Sequence, residues 1–203
     1  MDMGRGTMTV VPVTKDDRPG LPLPHDREWT VDDLETLPDD GLQYELFDGV
    51  LVVSPAPFKP HQRSLLGMAV LLRAARPPEL EVFVAPLDFQ PNRVRSFQPD
   101  VLVLRRDDGS DTKVFAPPVL AVEILSKSTR AKDLILKRAM YASSGVAHYW
   151  VFDPTPGPDK AEFTAMDLVD GVYRDAVQAV GEEIVRVERP YPVELCPSRI
   201  AVG

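Results

Sequence analysis

Residues 119–125 read Val-Leu-Ala-Val-Glu-Ile-Leu, six apolar side chains with one carboxylate, Glu123, set among them. An apolar run of this length, rich in branched residues, predicts a buried strand. Glu123 is out of place there. Burying an unpaired carboxylate costs several kcal/mol, so it needs a cation, a set of hydrogen bonds or a raised pKa. Whatever fold the chain adopts must bring such a partner to the middle of its sheet.

The surrounding pattern supplies a frame. Residues 1–26 hold Gly, Pro, Thr and charge without a lasting period and read as a mobile tail, leaving 27–203 as one domain. Thr30-Val-Asp-Asp33 resembles a capping box and predicts a short helix ending near Pro38. Residues 44–47 and 50–53 flank Asp48-Gly49, a pair suited to a type I′ turn, and predict a hairpin. Leu65, Leu66, Met68, Ala69, Leu72 and Ala75 fall at helical spacing over 61–75, and Pro77-Pro78 stops that helix. Strands are predicted over 81–89, 97–104 and 119–125. A helix follows over 129–144, with Ser128 or Thr129 as N-cap and Gly145 beyond its end. A fourth strand covers 146–152. After a Pro/Gly loop, weak alternation over 163–169, from 172 onward and over 184–187 predicts added antiparallel strands.

Several function classes are excluded or disfavoured. Cys196 is the lone cysteine, so no internal disulfide and no cysteine metal cluster can form. No run approaches the roughly 18 apolar residues of a membrane helix, and no apolar signal-peptide core opens the chain. The expectation is a cytoplasmic protein without membrane contact. A net charge of −8 argues against a chain coated for nonspecific nucleic-acid binding. Local charge differs. Arg93, Arg95, Arg105, Arg106, Lys127, Arg130, Lys132, Lys137 and Arg138 crowd into 93–138, and any nucleic-acid contact is expected to rest on that patch. No P-loop, G-x-G-x-x-G, H-E-x-x-H or G-x-S-x-G stands in the sequence, which leaves NTPase, dinucleotide, zincin and serine-hydrolase readings without support.

Pro99-Asp100 opens the strand that precedes the one carrying Glu123. Carboxylates on neighbouring strands can converge, and two hard oxygen ligands with a carbonyl and waters make a Mg²⁺ or Mn²⁺ site. Duller readings stand beside this one. Asp100 could cap a strand start, and Glu123 could hold a buried salt bridge. Asp133 and Lys137, four apart with the acid first, are spaced for a surface ion pair. Glu45 could be a cross-strand partner, His61 a solvated imidazole at a helix start, Ser126 a strand-end hydroxyl and His148 purely structural.

Pro99-Asp100, a spacer and Glu123 resemble the PD-(D/E)XK signature of restriction-endonuclease-like proteins. More narrowly, Tyr44-Glu-Leu-Phe-Asp-Gly49, Ser54-Pro-Ala-Pro57, Gln98-Pro-Asp100, Val122-Glu-Ile-Leu-Ser126, Ser128-Thr129, Asp133 with Lys137, and Gly145-Val146 to Tyr149-Trp-Val-Phe-Asp-Pro154 together resemble the Uma-type family of bacterial endonucleases. The likeness covers about 28–154 and extends toward 200. It implies an α+β fold with an αβββαβ core, a mixed central sheet, an extra N-terminal hairpin and C-terminal antiparallel strands. It implies a Mg²⁺- or Mn²⁺-dependent endonuclease acting on DNA, with Asp100 and Glu123 on the metal and Glu45 and Lys137 completing the catalytic set. His61, Ser126, Lys127 and Asp133 are accessory candidates. The superfamily lysine would fall at Leu125; in the Uma-type pattern it moves to the following helix, where Lys137 matches. Lys127, where that family usually has proline, is the rival. The missing lysine at 125 also keeps open a catalytically inactive binding or regulatory module of the same fold. Pairing into a homodimer, common among nucleases of this fold, is a further expectation.

Overall fold

A computed structural model describes residues 27–55, 57–108, 112–126, 130 and 132–202, the side chains of Lys132 and Asp133 excepted. The expected tail, Lys127, the cap at Ser128 or Thr129 and the side chain of Asp133 lie outside the described residues.

The first helix, α1 (Val31–Leu34), is a single turn. Asp33 accepts hydrogen bonds from the Thr30 N–H and hydroxyl, both at 2.8 Å, which is the expected box at a helix start. Strands β1 (Gln43–Phe47) and β2 (Val50–Ser54) form the expected hairpin. Asp48 and Gly49 have φ of 49° and 79°, as a type I′ turn requires. A Cβ on Gly49 would also stand 2.6 Å from the Glu28 Cβ, so two constraints fix this glycine. Helix α2 (Lys59–Ala75) carries Pro60 in its first turn and stops before Pro77. It buries His61, Ser64, Leu65, Met68 and Leu72, one stripe at 3.6-residue spacing.

Two expected strands are each divided. The segment 81–89 becomes β3 (Leu80–Val84) and β4 (Asp88–Asn92), separated at Ala85-Pro86. Pro86 offers no N–H to a ladder, and the chain leaves one sheet for another there. The segment 97–104 becomes β5 (Arg95–Phe97) and β6 (Val101–Arg105), with Gln98-Pro99-Asp100 between them. Strands β7 (Lys113–Val114) and β8 (Leu120–Ile124) follow. The helix expected over 129–144 is a π-helical stretch, Lys132–Lys137, continued by α3 (Arg138–Ser143). Gly145 beyond it has φ of 79°. Then come β9 (His148–Asp153), β10 (Glu162–Val169), β11 (Val172–Val180) and β12 (Val185–Val187). Strand β13 (Val193–Leu195) and helix α4 (Pro197–Val202) close the chain. Neither was expected, because each is too short to show a period.

The large sheet has the order β11-β10-β9-β8-β6-β3. Strands β8 and β9 are parallel and every other neighbouring pair is antiparallel. Reading α2, β3, β6, β8, α3 and β9 in chain order gives the αβββαβ core, with β10 and β11 added at one edge. The smaller sheet, β2-β1-β5-β4-β7, holds the hairpin. Alternation along β8 separates two cores. Leu120, Val122 and Ile124 join Met68, Leu72, Trp150 and Phe163 on one side. Ala121 and Leu125 join Phe89, Phe97, Tyr141 and Tyr149 on the other. Among the described residues no helix is long and apolar enough to cross a membrane.

Candidate active site

Glu123 alternates with Val122 and Ile124 and so shares the side of Ala121 and Leu125. Only 2% of it is exposed. Its partners come from the helical segment that crosses this side. Glu123 Oε1 accepts a hydrogen bond from Lys137 Nζ at 2.9 Å and one from the Tyr141 hydroxyl at 2.6 Å. Lys137 and Tyr141 are four residues apart, so one helical face delivers both. Lys137 ends the π-helical stretch, a distortion often found at functional sites. Burial, with the charges of Glu123 and Glu45, pushes the Tyr141 pKa well above its ordinary 10.0, so it remains a neutral donor.

The same ammonium reaches the smaller sheet. Lys137 Nζ stands 3.1 Å from Glu45 Oε1 and donates to the Gln98 carbonyl at 3.4 Å. Glu45 lies in β1 on the inward side with Phe47, 1% exposed, and its Oε1 also accepts from the Gln98 N–H at 3.0 Å. One buried lysine therefore ties a carboxylate of each sheet together. Such a pair is costly to desolvate and holds only where geometry and added hydrogen bonds compensate, as here.

Asp100 sits between β5 and β6, just ahead of the ladder in which Val101 pairs with Val122. Its Oδ2 accepts from the Ile124 N–H at 2.7 Å and stands 3.1 Å from His61 Nε2. A carboxylate acceptor implies that His61 donates its Nε2–H. The α2 stripe puts His61 there, and it is 7% exposed. Asp100 thus satisfies a backbone group, as the cap reading required, while its carboxylate lies against the backbone beside Glu123.

Asp100 also borders a groove of about 540 Å³. Its walls include Leu34, Leu37, Leu42, Tyr44 and Val84, together with Asp88 and Gln98. Burial raises the Asp88 pKa from its ordinary 3.8, against the lowering effects of Gln98, Gln90 and Lys113. Gln98 Nε2 donates to Asp88 Oδ1 at 2.8 Å.

The structure brings Glu45, Asp100, Glu123, Lys137 and His61 into one neighbourhood. It overturns the surface-pair reading of Lys137, which is 2% exposed and bound to Glu45 and Glu123. It also removes His61 from solvent. Ser126 is half-buried, and its carbonyl accepts from the Arg130 N–H. His148 pairs with Asp167 at 2.7 Å across two strands, the structural role expected of it. The arginines of the basic patch have acidic partners. Arg93, Arg95, Arg106 and Arg130 pair with Asp32, Asp48, Glu81 and Asp153, and no Lys or Arg lines the groove among the described residues. Sequence reading missed Tyr141, Gln98 and Asp88 as site residues. For Tyr141 the signal was its place one turn after Lys137.

A hard divalent ion fits this donor chemistry. Among the described residues no group of three or more His, Cys, Asp and Glu side chains is arranged to hold a metal. Magnesium does not need three: it commonly takes one or two carboxylates and completes its shell with water and substrate phosphate. Asp100, just ahead of β6, and Glu123, in the adjacent β8, are two carboxylates of this kind.

Comparison with known proteins agrees with the architecture. The crystal structure of "a putative nuclease belonging to DUF820 from Anabaena variabilis" is similar to this chain with a TM-score of 0.62. The likeness covers 85% of this chain and 97% of that one at 17% identity, which establishes the shared fold. No curated protein matches. The match to a protein family runs over residues 31–202 and takes in every site residue named above, so the chain belongs to the Uma2 family, described as "Putative restriction endonuclease".

Proposed function

We propose that this protein is a metal-dependent endonuclease that hydrolyses DNA phosphodiester bonds at the Asp100–Glu123 site. The observation that carries this reading is the buried cluster in which Lys137 joins Glu45 and Glu123, with Asp100 held against the Ile124 N–H, the residue next to Glu123. Family membership supports the same class of reaction. Asp100 and Glu123 would hold Mg²⁺ or Mn²⁺. Such an ion, when bound, makes water more acidic and offsets charge on the phosphoryl group. The protein's own groups do the positioning. His61 and the Ile124 N–H fix the Asp100 carboxylate. Tyr141 and Lys137 fix Glu123. Lys137, charged and desolvated, stabilises negative charge that develops on the phosphate oxygens. Glu45 holds Lys137 in place and orients the attacking water.

Plasmid nicking in Mg²⁺ or Mn²⁺ tests this. Wild-type protein should nick, and Asp100→Asn and Glu123→Gln should each lose activity by about a hundredfold or more, the scale for removing a group that acts in the transition state. Nicking at the wild-type rate by both variants would refute the site.

A second reading has its own observation. Leu125 stands where the superfamily lysine would be, and Lys137 already bridges Glu45 and Glu123. A catalytically inactive binding or regulatory module would keep that salt bridge as a structural tie. It predicts no nicking in either metal. A cytoplasmic setting and pairing into a homodimer belong to the endonuclease proposal as well, and sedimentation at micromolar concentration checks the latter.

A further inference from the structure

The groove beside Asp100 is not built as a phosphate track. Its charged residues among those described are Asp39, Asp88 and Asp100, with no Lys, Arg or His. A row of phosphates laid along it would meet like charge. The uncharged walls include Leu34, Leu37, Leu42 and Val84, with Tyr44 contributing an aromatic ring and Gln43 and Gln62 contributing amides. Such walls suit a flat, uncharged heteroaromatic group, whose faces pack on apolar and aromatic side chains. The edge of that ring has partners in Asp88 and Gln98, which bond to each other at 2.8 Å and border the same space. The Asp88 carboxyl oxygens accept hydrogen bonds from the amides of Gln98 and Gln90, and they would accept in the same way from a ring or exocyclic N–H of a base. The volume of about 540 Å³ lies within the range of roughly 300–1,000 Å³ usual for small organic ligands.

We propose that this groove receives an unpaired nucleobase adjoining the phosphate cut at Asp100 and Glu123, so that the substrate is a strand with an unstacked base, not continuous duplex. The inference rests on the endonuclease reading and deepens it. It also accounts for a nuclease site without a basic wall: the base enters the groove, and the phosphate lies at the carboxylates with their ion.

The test is equilibrium binding to the full chain in Ca²⁺ buffer, using a single-stranded oligonucleotide with a central 2-aminopurine and the same sequence as a duplex. The single strand should bind about tenfold tighter, with quenched fluorescence. Leu37→Asp and Leu42→Trp, which charge and narrow the groove, should each weaken the single strand by roughly tenfold without loss of the folded far-ultraviolet spectrum. Duplex bound as tightly as single strand, no binding of either, or affinity indifferent to both substitutions overturns the base pocket. If plasmid nicking persists in that case, the endonuclease reading stands without it.

Discussion

The two sides of strand β8 carry the same kind of neighbours in sequence and very different ones in space. Leu120, Val122 and Ile124 enter an apolar core with α2, Trp150 and Phe163. One residue out of step, Ala121, Glu123 and Leu125 enter a core that also holds Glu45, Lys137 and the Tyr141 hydroxyl. The first side is held chiefly by apolar burial, which is tolerant in chemistry and demanding in volume. The second is held by a few charged groups, each of which strands its partners if removed. The teaching is that the strand supplies a rigid apolar mount, and the chemistry is placed on the side where it costs stability.

The largest expected effect breaks the second side. Lys137→Met leaves Glu45 and Glu123 buried without this ammonium, and urea unfolding should show a loss of about 3–5 kcal/mol. Nicking should vanish with it. Lys137→Arg should not restore activity, because a guanidinium is larger and planar where two oxygens share one point charge.

Trp150→Ala breaks the first side. A cavity in that core should cost roughly 3–5 kcal/mol of stability. The contrast is in function: nicking per folded molecule should stay within about twofold, since Glu123 and its partners Lys137 and Tyr141 lie on the other side of β8 from Trp150. A hundredfold loss per folded molecule would erase the distinction between the two sides.

A smaller effect sharpens the boundary at the groove. The folded-state pKa of Asp88 is raised above 3.8, so the folded chain holds its proton to higher pH than the unfolded chain does. Its contribution to stability is therefore greatest at low pH and is lost as pH rises from 3.8 through the folded value. Asp88→Asn should be neutral in acid and stabilising at pH 7, read from urea midpoints at the two pH values. Equal midpoints for both proteins at every pH would mean that the groove wall is solvated and outside the buried region.

Much of this arrangement was readable in the chain. Strand and helix periods around Glu123 gave the αβββαβ order, and Asp48-Gly49 gave the hairpin, because those signals are local. The divisions at Pro86 and at Gln98-Pro99-Asp100 were not read, since β3 and β6 carry most of the apolar signal and the short, polar β4 and β5 show no period of their own. Glu123 and Asp100 stood out from the residues themselves, and Glu45 and Lys137 were found through the family resemblance. Their geometry was not, because Lys137 beside Asp133 carries the same local spacing as a surface pair. Nor could the sequence show that Arg93, Arg95, Arg106 and Arg130 are each spent on a distant or neighbouring acid.

The most direct test of the central claim, that Glu123 is a metal-holding carboxylate and not merely the far end of a salt bridge, is calorimetric titration of Mn²⁺ into wild-type protein and Glu123→Gln. The amide keeps an oxygen acceptor for Tyr141 and Lys137 but gives up the charge an ion requires. The account predicts saturable binding to the wild type and at least a tenfold weaker affinity in the variant, both proteins being folded. Equal affinities, or no binding to either, would contradict it and leave the Lys137 bridge as the whole purpose of the buried acid.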